Sequence, residues 1–474
     1  MTEIPDSSTA SVLNAALATQ RQAYHDAPMP TLAERRADLL SLARFLKENR
    51  QAIVDAISAD YGHRSPHETL LTEMGPALAA IRHASKHLRT WMRPQRRGVD
   101  RLTYGLASNR LIPQPLGVVG IIVPWNFPLN LSFVPLSAVL AAGNRAMVKM
   151  SENSRHLARL LIERIPAYFP PEKLSFFDET GDVGIEFSRL PFDHLLFTGS
   201  GTTGRAVMAA AAQNLCPVTL ELGGKAPAVI AEDFNLRLAA ERILFVKYLN
   251  AGQICTTVDH AFVPRGKVQE FVRLALDIVP RRYPRLDSRD YSSIIDKRAY
   301  SRLRAALDEA QTCGAVVIPL LPGPTFDDAQ HRIAPHIVID APADCELMQR
   351  EIFGPILPLI SYDSIDEVMA RINAGPRPLA LYPFSNDQAL LDRLIEQVMS
   401  GGVSVNDALM HVGQDDLPFG GVGESGMGHY HGVEGFNTFS KLRPVFHQSR
   451  WATTKLLMPP YSRLADRLLS FLVR

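Results

Sequence analysis

Apolar residues recur at helical spacing from Ser11 to Trp91, punctuated by Thr31-Leu32-Ala33-Glu34 and Ser65-Pro66-His67-Glu68. A hydroxyl residue followed three positions later by Glu predicts a capping box, in which side chains satisfy the free donors of a helix start. Both are expected to open helices of a scaffold. Between Leu102 and Val123 strand-like runs surround Ala107-Ser108-Asn109, followed by the proline-punctuated Ile112-Pro113-Gln114-Pro115-Leu116-Gly117. This pattern predicts an extended hairpin arm and then a buried strand. From Val118 to Glu221 strand-like runs (Val118 to Val123, Ala146 to Lys149, Leu174 to Phe177, His194 to Phe197, Val218 to Leu222) alternate with helical ones. That is the βαβ rhythm of a parallel sheet. A second alternating block from Ala228 to about Asn406 predicts a second α/β domain. Within it, Leu238 to Leu249 is helical, Gly252 reads as a helix stop, and Ala261-Phe262-Val263 is strand-like. Near the end, Tyr461, Leu464, Leu468, Phe471 and Leu472 share one helical face, away from Arg463, Arg467 and Arg474.

A length of 474 residues fits roughly three domain-sized units. With 50 Lys+Arg against 49 Asp+Glu the net charge is +1, which points to small-molecule partners and away from nucleic acid. Cys216, Cys255, Cys313 and Cys345 are scattered, without CxxC or paired His spacing, so neither a disulfide framework nor a zinc site is indicated, and no metal is expected. The polar start MTEIPDSSTA lacks an apolar core of the secretory type, and no uninterrupted run approaches about 20 apolar residues. A reducing, cytoplasmic setting is the expectation. His83 and His87 have the i, i+4 spacing of a metal pair but no accompanying Glu; they read as solvated or capping residues. Arg93, Arg96, Arg97 and Arg101 read as a charged surface or interdomain face.

The chemistry centres on Asn250-Ala251-Gly252-Gln253-Ile254-Cys255-Thr256-Thr257, which leaves one cysteine on a loop between a helical and a strand-like run. Cys255 is a candidate nucleophile, against the alternative of a small buried apolar residue. A preceding helix C-terminus does not lower a thiol pKa, so activation must come from elsewhere. Phe197-Thr198-Gly199-Ser200-Gly201-Thr202-Thr203-Gly204 follows a strand and opens a helix, where backbone N–H groups can face a pyrophosphate. By itself this pattern would hand a ribose to Glu221, at roughly the 20-residue spacing of a Rossmann acid.

A fixed order of motifs runs along the chain: Pro124-Trp125-Asn126-Phe127-Pro128, Lys149-Met150-Ser151-Glu152, the glycine turn, Glu221-Leu222-Gly223-Gly224-Lys225, Gly252-Gln253-Ile254-Cys255 and Glu351-Ile352-Phe353-Gly354-Pro355. Together they resemble the aldehyde dehydrogenase superfamily, from about Leu39 to Lys441. Pro418-Phe419-Gly420-Gly421 and Ser425-Gly426-Met427-Gly428 are similar to its shorter, class 3 branch. Glu68 to Glu73 and Leu116 to Trp125 resemble bacterial coniferyl aldehyde dehydrogenases.

The resemblance implies an α/β fold of two Rossmann-like parallel-sheet domains, cofactor-binding and catalytic, with a β-hairpin oligomerisation arm. The division would be 1–100 with 117–222 for NAD binding, 101–116 with 440–450 for the arm, and 223–415 for catalysis. Residues 416–439 would return to the NAD-binding side, and 451–474 would form an amphipathic tail. Cys255 would attack the aldehyde, the Asn126 amide and the Cys255 N–H would hold the oxyanion, and Glu221 would activate water against the thioester. Lys149 and Glu152 would hold the adenosine ribose, the turn of Gly199, Ser200 and Gly204 the pyrophosphate, Glu351 the nicotinamide ribose, and Phe353 would pack beside the ring. Glu152 favours NAD, while Lys149 leaves NADP open. Met150 stands where the family often has proline, which would leave the Lys149 turn less rigid. Aromatic coniferyl-type and long-chain aliphatic aldehydes both remain as substrates; acyl transfer to coenzyme A and a catalytically silent scaffold are the rivals. Glu221 favours water as the acyl acceptor. A homodimer is expected, with the tail packing on a subunit or, as the alternative, touching a membrane.

Overall fold

The computed structural model describes residues 7–180 and 182–473; residues 1–6 of the polar start and Arg474 of the tail lie outside them. The strands are β1 (Gln95–Arg97), β2 (Ser108–Pro115), β3 (Val118–Ile122), β4 (Arg145–Lys149), β5 (Leu174–Phe177), β6 (His194–Thr198) and β7 (Val218–Glu221). Next come β8 (Pro227–Ile230), β9 (His260–Pro264), β10 (Val316–Pro319), a short ribbon of β11 (Phe326–Asp327) and β12 (Arg332–Ile333), and β13 (His336–Ile339). The last are β14 (Ile356–Tyr362), β15 (Ala380–Phe384), β16 (Gly402–Val403), β17 (Gly426–Met427) and β18 (Ser440–His447).

Among the described residues β3 to β7 and β17 form a six-stranded sheet in the order β17-β7-β6-β3-β4-β5, parallel except for β17. Its strands read as continuous apolar runs because both faces are covered. Val119, Ile121 and Val148 face a core shared with the helices Leu32–Glu48 and Gly75–Trp91, whereas Val118, Ile122 and Met147 pack on Leu13, Leu17 and Phe187. The second, seven-stranded sheet has the order β10-β13-β14-β9-β8-β15-β16, parallel except at its β10 edge. The two parallel sheets match the expected fold class. In the arm, β2 pairs along its whole length with the distant β18, and β1 completes a three-stranded sheet.

Thr31 caps its helix as the sequence implies, with its hydroxyl accepting the Glu34 N–H and the Glu34 carboxylate accepting the Thr31 N–H. Ser65 does not. Its side chain makes no capping bond, and the Glu68 carboxylate that would complete the box instead accepts the Asn250 N–H at 3.0 Å and the Ser292 hydroxyl at 2.5 Å. His83 and His87 are also reassigned: they are half-buried, with ring centroids 4.2 Å apart, and stack beside Trp91. The tail forms the helix Arg463–Leu472, in which Ala465 is buried while Leu464, Phe471 and Leu472 stay exposed. Among the described residues no helix is long and apolar enough to cross a membrane.

Replacing Thr31 by Ala should cost about 1 kcal/mol through the lost cap, read as a lower thermal midpoint, whereas Ser65→Ala should stay within about 0.5 kcal/mol. Equal losses in the two variants would contradict this assignment of the caps.

Candidate active site

The first sheet has the order of a doubly wound fold, with its direction reversing between β3 and β6, and ligands gather beyond the carboxyl ends of strands at such a point. Pro124, Trp125 and Asn126 follow β3, and Gly199 and Ser200 follow β6; all line one cleft of about 1570 Å³. The opposite wall comes from segments entering strands of the second sheet: Lys225 before β8, Cys255 before β9, and Glu351 and Phe353 before β14. The carboxyl edge of one sheet therefore faces the amino edge of the other.

The cysteine loop is held in an unusual backbone shape. The helix Leu236–Tyr248 ends before the expected stop, and Asn250 (φ 51), Ala251 (φ 50) and Gly252 (φ 75) are consecutively left-handed. For the first two this costs energy that surrounding contacts must offset. Asn250 supplies them: its N–H reaches Glu68, and its amide donates to the Tyr61 hydroxyl and to the carbonyls of Asn126 and Gln253. At Gly252 a Cβ would collide with the carbonyl of Gly354, so this glycine allows the cysteine loop to touch the segment bearing Phe353, itself left-handed at φ 49.

Asn126 belongs to the same cluster. Its backbone carbonyl accepts from Tyr61 Oη at 2.9 Å, Arg64 Nη1 at 3.1 Å and Asn250 Nδ2 at 3.3 Å. Its side-chain Nδ2 donates to the Gln253 carbonyl at 3.3 Å, leaving the second amide hydrogen for another acceptor. Arg64 is fully buried and paired with Glu73 at 2.6 Å. The other Glu73 oxygen accepts the N–H groups of Leu129 and Asn130 at the start of the helix Asn130–Ala141. None of Tyr61, Arg64 and Glu73 was given a role by the sequence, and Asn250 was read only as the start of the cysteine stretch; charges inside the helical scaffold were the available signal.

Cys255 is half-buried and opens on the cleft. Burial, then Glu351, then Glu221 push its thiol up to about 12, so at neutral pH it is protonated. Glu221 is 2% exposed, and neither carboxylate oxygen has a hydrogen-bond partner among the described residues. Burial raises its pKa well above the ordinary carboxylate range. Such a carboxylate is a strong base beside a reluctant acid. Glu351 is raised to about 8 by burial and by Asp259, against the opposing pull of the Gly224 N–H, Lys225 and Arg302. Lys225 fixes that wall: Nζ donates to Asp259 Oδ2 at 2.5 Å and to the carbonyls of Leu347 and Arg350, while Asp259 Oδ1 accepts the Ile352 N–H at 2.9 Å.

At the far end of the cleft, Ser200 caps the helix Gly201–Ala212, accepting the Thr203 N–H. Gly204 does not line the cleft; it is buried against Leu222, whose Cδ2 a Cβ would meet at 2.7 Å. It is placed for close packing of helix on strand. Lys149 and Glu152 also lie outside the cleft lining. Lys149 is buried and ion-paired with Glu179, a residue not anticipated, and Glu152 is exposed. Met150 gives its turn the firmness expected of proline by other means, since its N–H donates to the Phe177 carbonyl at 2.8 Å, a bond proline could not make.

A family model described as "Aldehyde dehydrogenase family" matches residues 1–445. A "Probable coniferyl aldehyde dehydrogenase" of Pseudomonas aeruginosa is 47% identical over 458 residues, covering 96% of this chain and 95% of the relative. Among solved structures, a substrate-bound Staphylococcus aureus AldH superposes with a TM-score of 0.92 at 32% identity, over 97% of this chain and 99% of that one. A Mycobacterium tuberculosis aldehyde dehydrogenase complexed with NAD+ gives 0.83 at 27% identity, over 93% and 90%.

With its thiol near 12, alkylation of Cys255 by iodoacetamide should accelerate about tenfold per pH unit between pH 7 and 9, following the thiolate fraction. Mass-spectrometric peptide mapping against time gives the rate. A plateau already at pH 7 would mean a thiolate stabilised by something other than these surroundings.

Proposed function

The chain belongs to the aldehyde dehydrogenase family, and from that premise we propose that it oxidises an aromatic, coniferyl-type aldehyde to the carboxylic acid with NAD, using Cys255 as nucleophile. The observation that carries the reading is Glu221, buried with both oxygens unpartnered in the cleft that also holds Cys255 and Asn126. A silent scaffold has no reason to bear the cost of burying an unsatisfied carboxylate.

In this reading the Cys255 proton passes to solvent, a step that does not need Glu221. The sulfur then bonds to the aldehyde carbon, and the oxyanion accepts from the free amide hydrogen of Asn126 and from the Cys255 N–H. NAD, when bound, supplies the hydride acceptor. Once the thioester has formed, Glu221 removes a proton from the attacking water, and the acid leaves as the Cys255 thiol is restored.

The cofactor fits the residues present. The first turn of the helix Gly201–Ala212 has backbone N–H groups without intrahelical partners next to the cleft, a setting that favours a pyrophosphate. Glu351 Oε1, unpartnered, suits a ribose hydroxyl, and Lys149 with Glu152, although neither lines the cleft, is read on the family motif as the hold on the other ribose. Aromatic substrates are supported by the P. aeruginosa relative and by Trp125, which lies edge-on to Phe353 at 5.4 Å and to Tyr61 at 6.2 Å. A homodimer is supported by the open edges of the β1-β2-β18 sheet and by exposed Phe446 and Leu106 beside it. Four unpaired cysteines support a cytoplasmic setting.

Two experiments test this reading. Glu221→Gln should give a rapid burst of about one NADH per active site followed by slow turnover, with an acyl adduct on Cys255 in intact-mass spectra. Cys255→Ala should show neither, and Cys216, Cys313 and Cys345 variants should keep activity; weaker NAD binding without a burst in Glu221→Gln would reassign Glu221 to the ribose. In a panel of aldehydes, kcat/KM for cinnamaldehydes should exceed that for long aliphatic aldehydes by at least about tenfold. The reverse order would favour a fatty aldehyde substrate.

A further inference from the structure

Lys149 ends β4 with a side chain only 8% exposed, and its ammonium contacts Oε2 of Glu179. The Gly184 N–H holds the other oxygen, Oε1, at 3.0 Å. Gly184 also makes the pairing sterically feasible, since a Cβ there would lie 2.8 Å from Glu179 Oε2 and 3.2 Å from Lys149 Nζ. Glu152 sits nearby without forming an ion pair with this lysine; it accepts the Ser151 hydroxyl at 3.1 Å and its charge opposes the effect of burial on Lys149. One buried ammonium thus has two carboxylates around it, and the one in contact is Glu179.

We propose that Glu179 is the residue that sets the choice of NAD over NADP. The proposal rests on the reading of Lys149 and Glu152 as ligands of the adenosine ribose. A 2′-phosphate needs a cation to offset its charge of nearly two. Lys149 is the cation of the motif, and Glu179 already neutralises it. Glu179 and Glu152 together leave an excess negative charge, which accepts from a ribose 2′-hydroxyl and repels a phosphate. In a half-buried setting this repulsion is screened less than at an open surface.

The test is the dissociation constant of NAD and of NADP, measured by titration calorimetry without aldehyde, alongside kcat/KM for both cofactors. Glu179→Gln should tighten NADP binding on the order of tenfold and change NAD binding far less. Gly184→Ala, which pushes the carboxylate off the lysine, should move NADP in the same direction and guards against misfolding of the first variant. Glu152→Gln should have the smaller effect. Should Glu179→Gln and Gly184→Ala leave the NADP constant unchanged while Glu152→Gln improves it, Glu179 is not the discriminator and the ribose reading stands. If Lys149→Met alters neither cofactor's constant, the ribose reading itself fails, and this proposal with it.

Discussion

The carbonyl of Asn126 is the junction on which the site depends. Three donors from three parts of the chain converge on it: Tyr61 and Arg64 from the N-terminal scaffold and Asn250 from the cysteine loop. A carbonyl has two lone pairs, so a third donor marks a point where several segments have been forced together. Arg64 can serve there only because Glu73 neutralises it in the interior, and removing one member of such a pair costs about 3–5 kcal/mol. Glu73 in turn holds the start of the helix that follows Asn126. Scaffold, cofactor-side turn and catalytic loop are therefore coupled through one buried ion pair.

The electrostatics follow from exclusion of water more than from any designed cation. Burial is the first cause of the raised values at Cys255, Glu221 and Glu351, and the charges that the thiol feels are carboxylates. Burial makes the ionised form of each group rarer at neutral pH and, once formed, more reactive, a strong nucleophile at Cys255 and a strong base at Glu221. The positive groups stand one layer back: Lys225 is spent on Asp259 and on two carbonyls, holding the segment that carries Glu351. Lys247, wholly buried and without a partner for Nζ among the described residues, is lowered to about 8 by the same exclusion.

Much of this was legible in the sequence because it is local. Apolar runs flanked by turns identified the parallel strands, and the Thr31 box needed only four residues. The motif residues could be placed at strand ends since each adjoins a recognisable strand. What escaped was long-range pairing. Ser65 and Glu68 have the same local signature as Thr31 and Glu34, yet Glu68 is claimed by Asn250 and Ser292, far along the chain. Glu179 has no motif around it and acquires meaning only from Lys149, on a neighbouring strand. The arm shows the same limit: proline spacing described β2 as extended, and only the family resemblance set residues 440–450 beside it, where β18 lies.

The path of the chain has a consequence for how the protein is made. β7 obtains its outer neighbour only when β17 returns, and β2 obtains β18 only after residue 440. Everything from β8 to β16 is synthesised in between. On the ribosome, β7 and β2 must therefore each wait with one edge open, paired only to β6 and β1, while the second domain emerges and folds as an insertion. An open, apolar strand edge is a template for association with other chains. The interval of greatest exposure to misassembly thus lies in translation of the middle of the message, and it ends only when the last strand has been made.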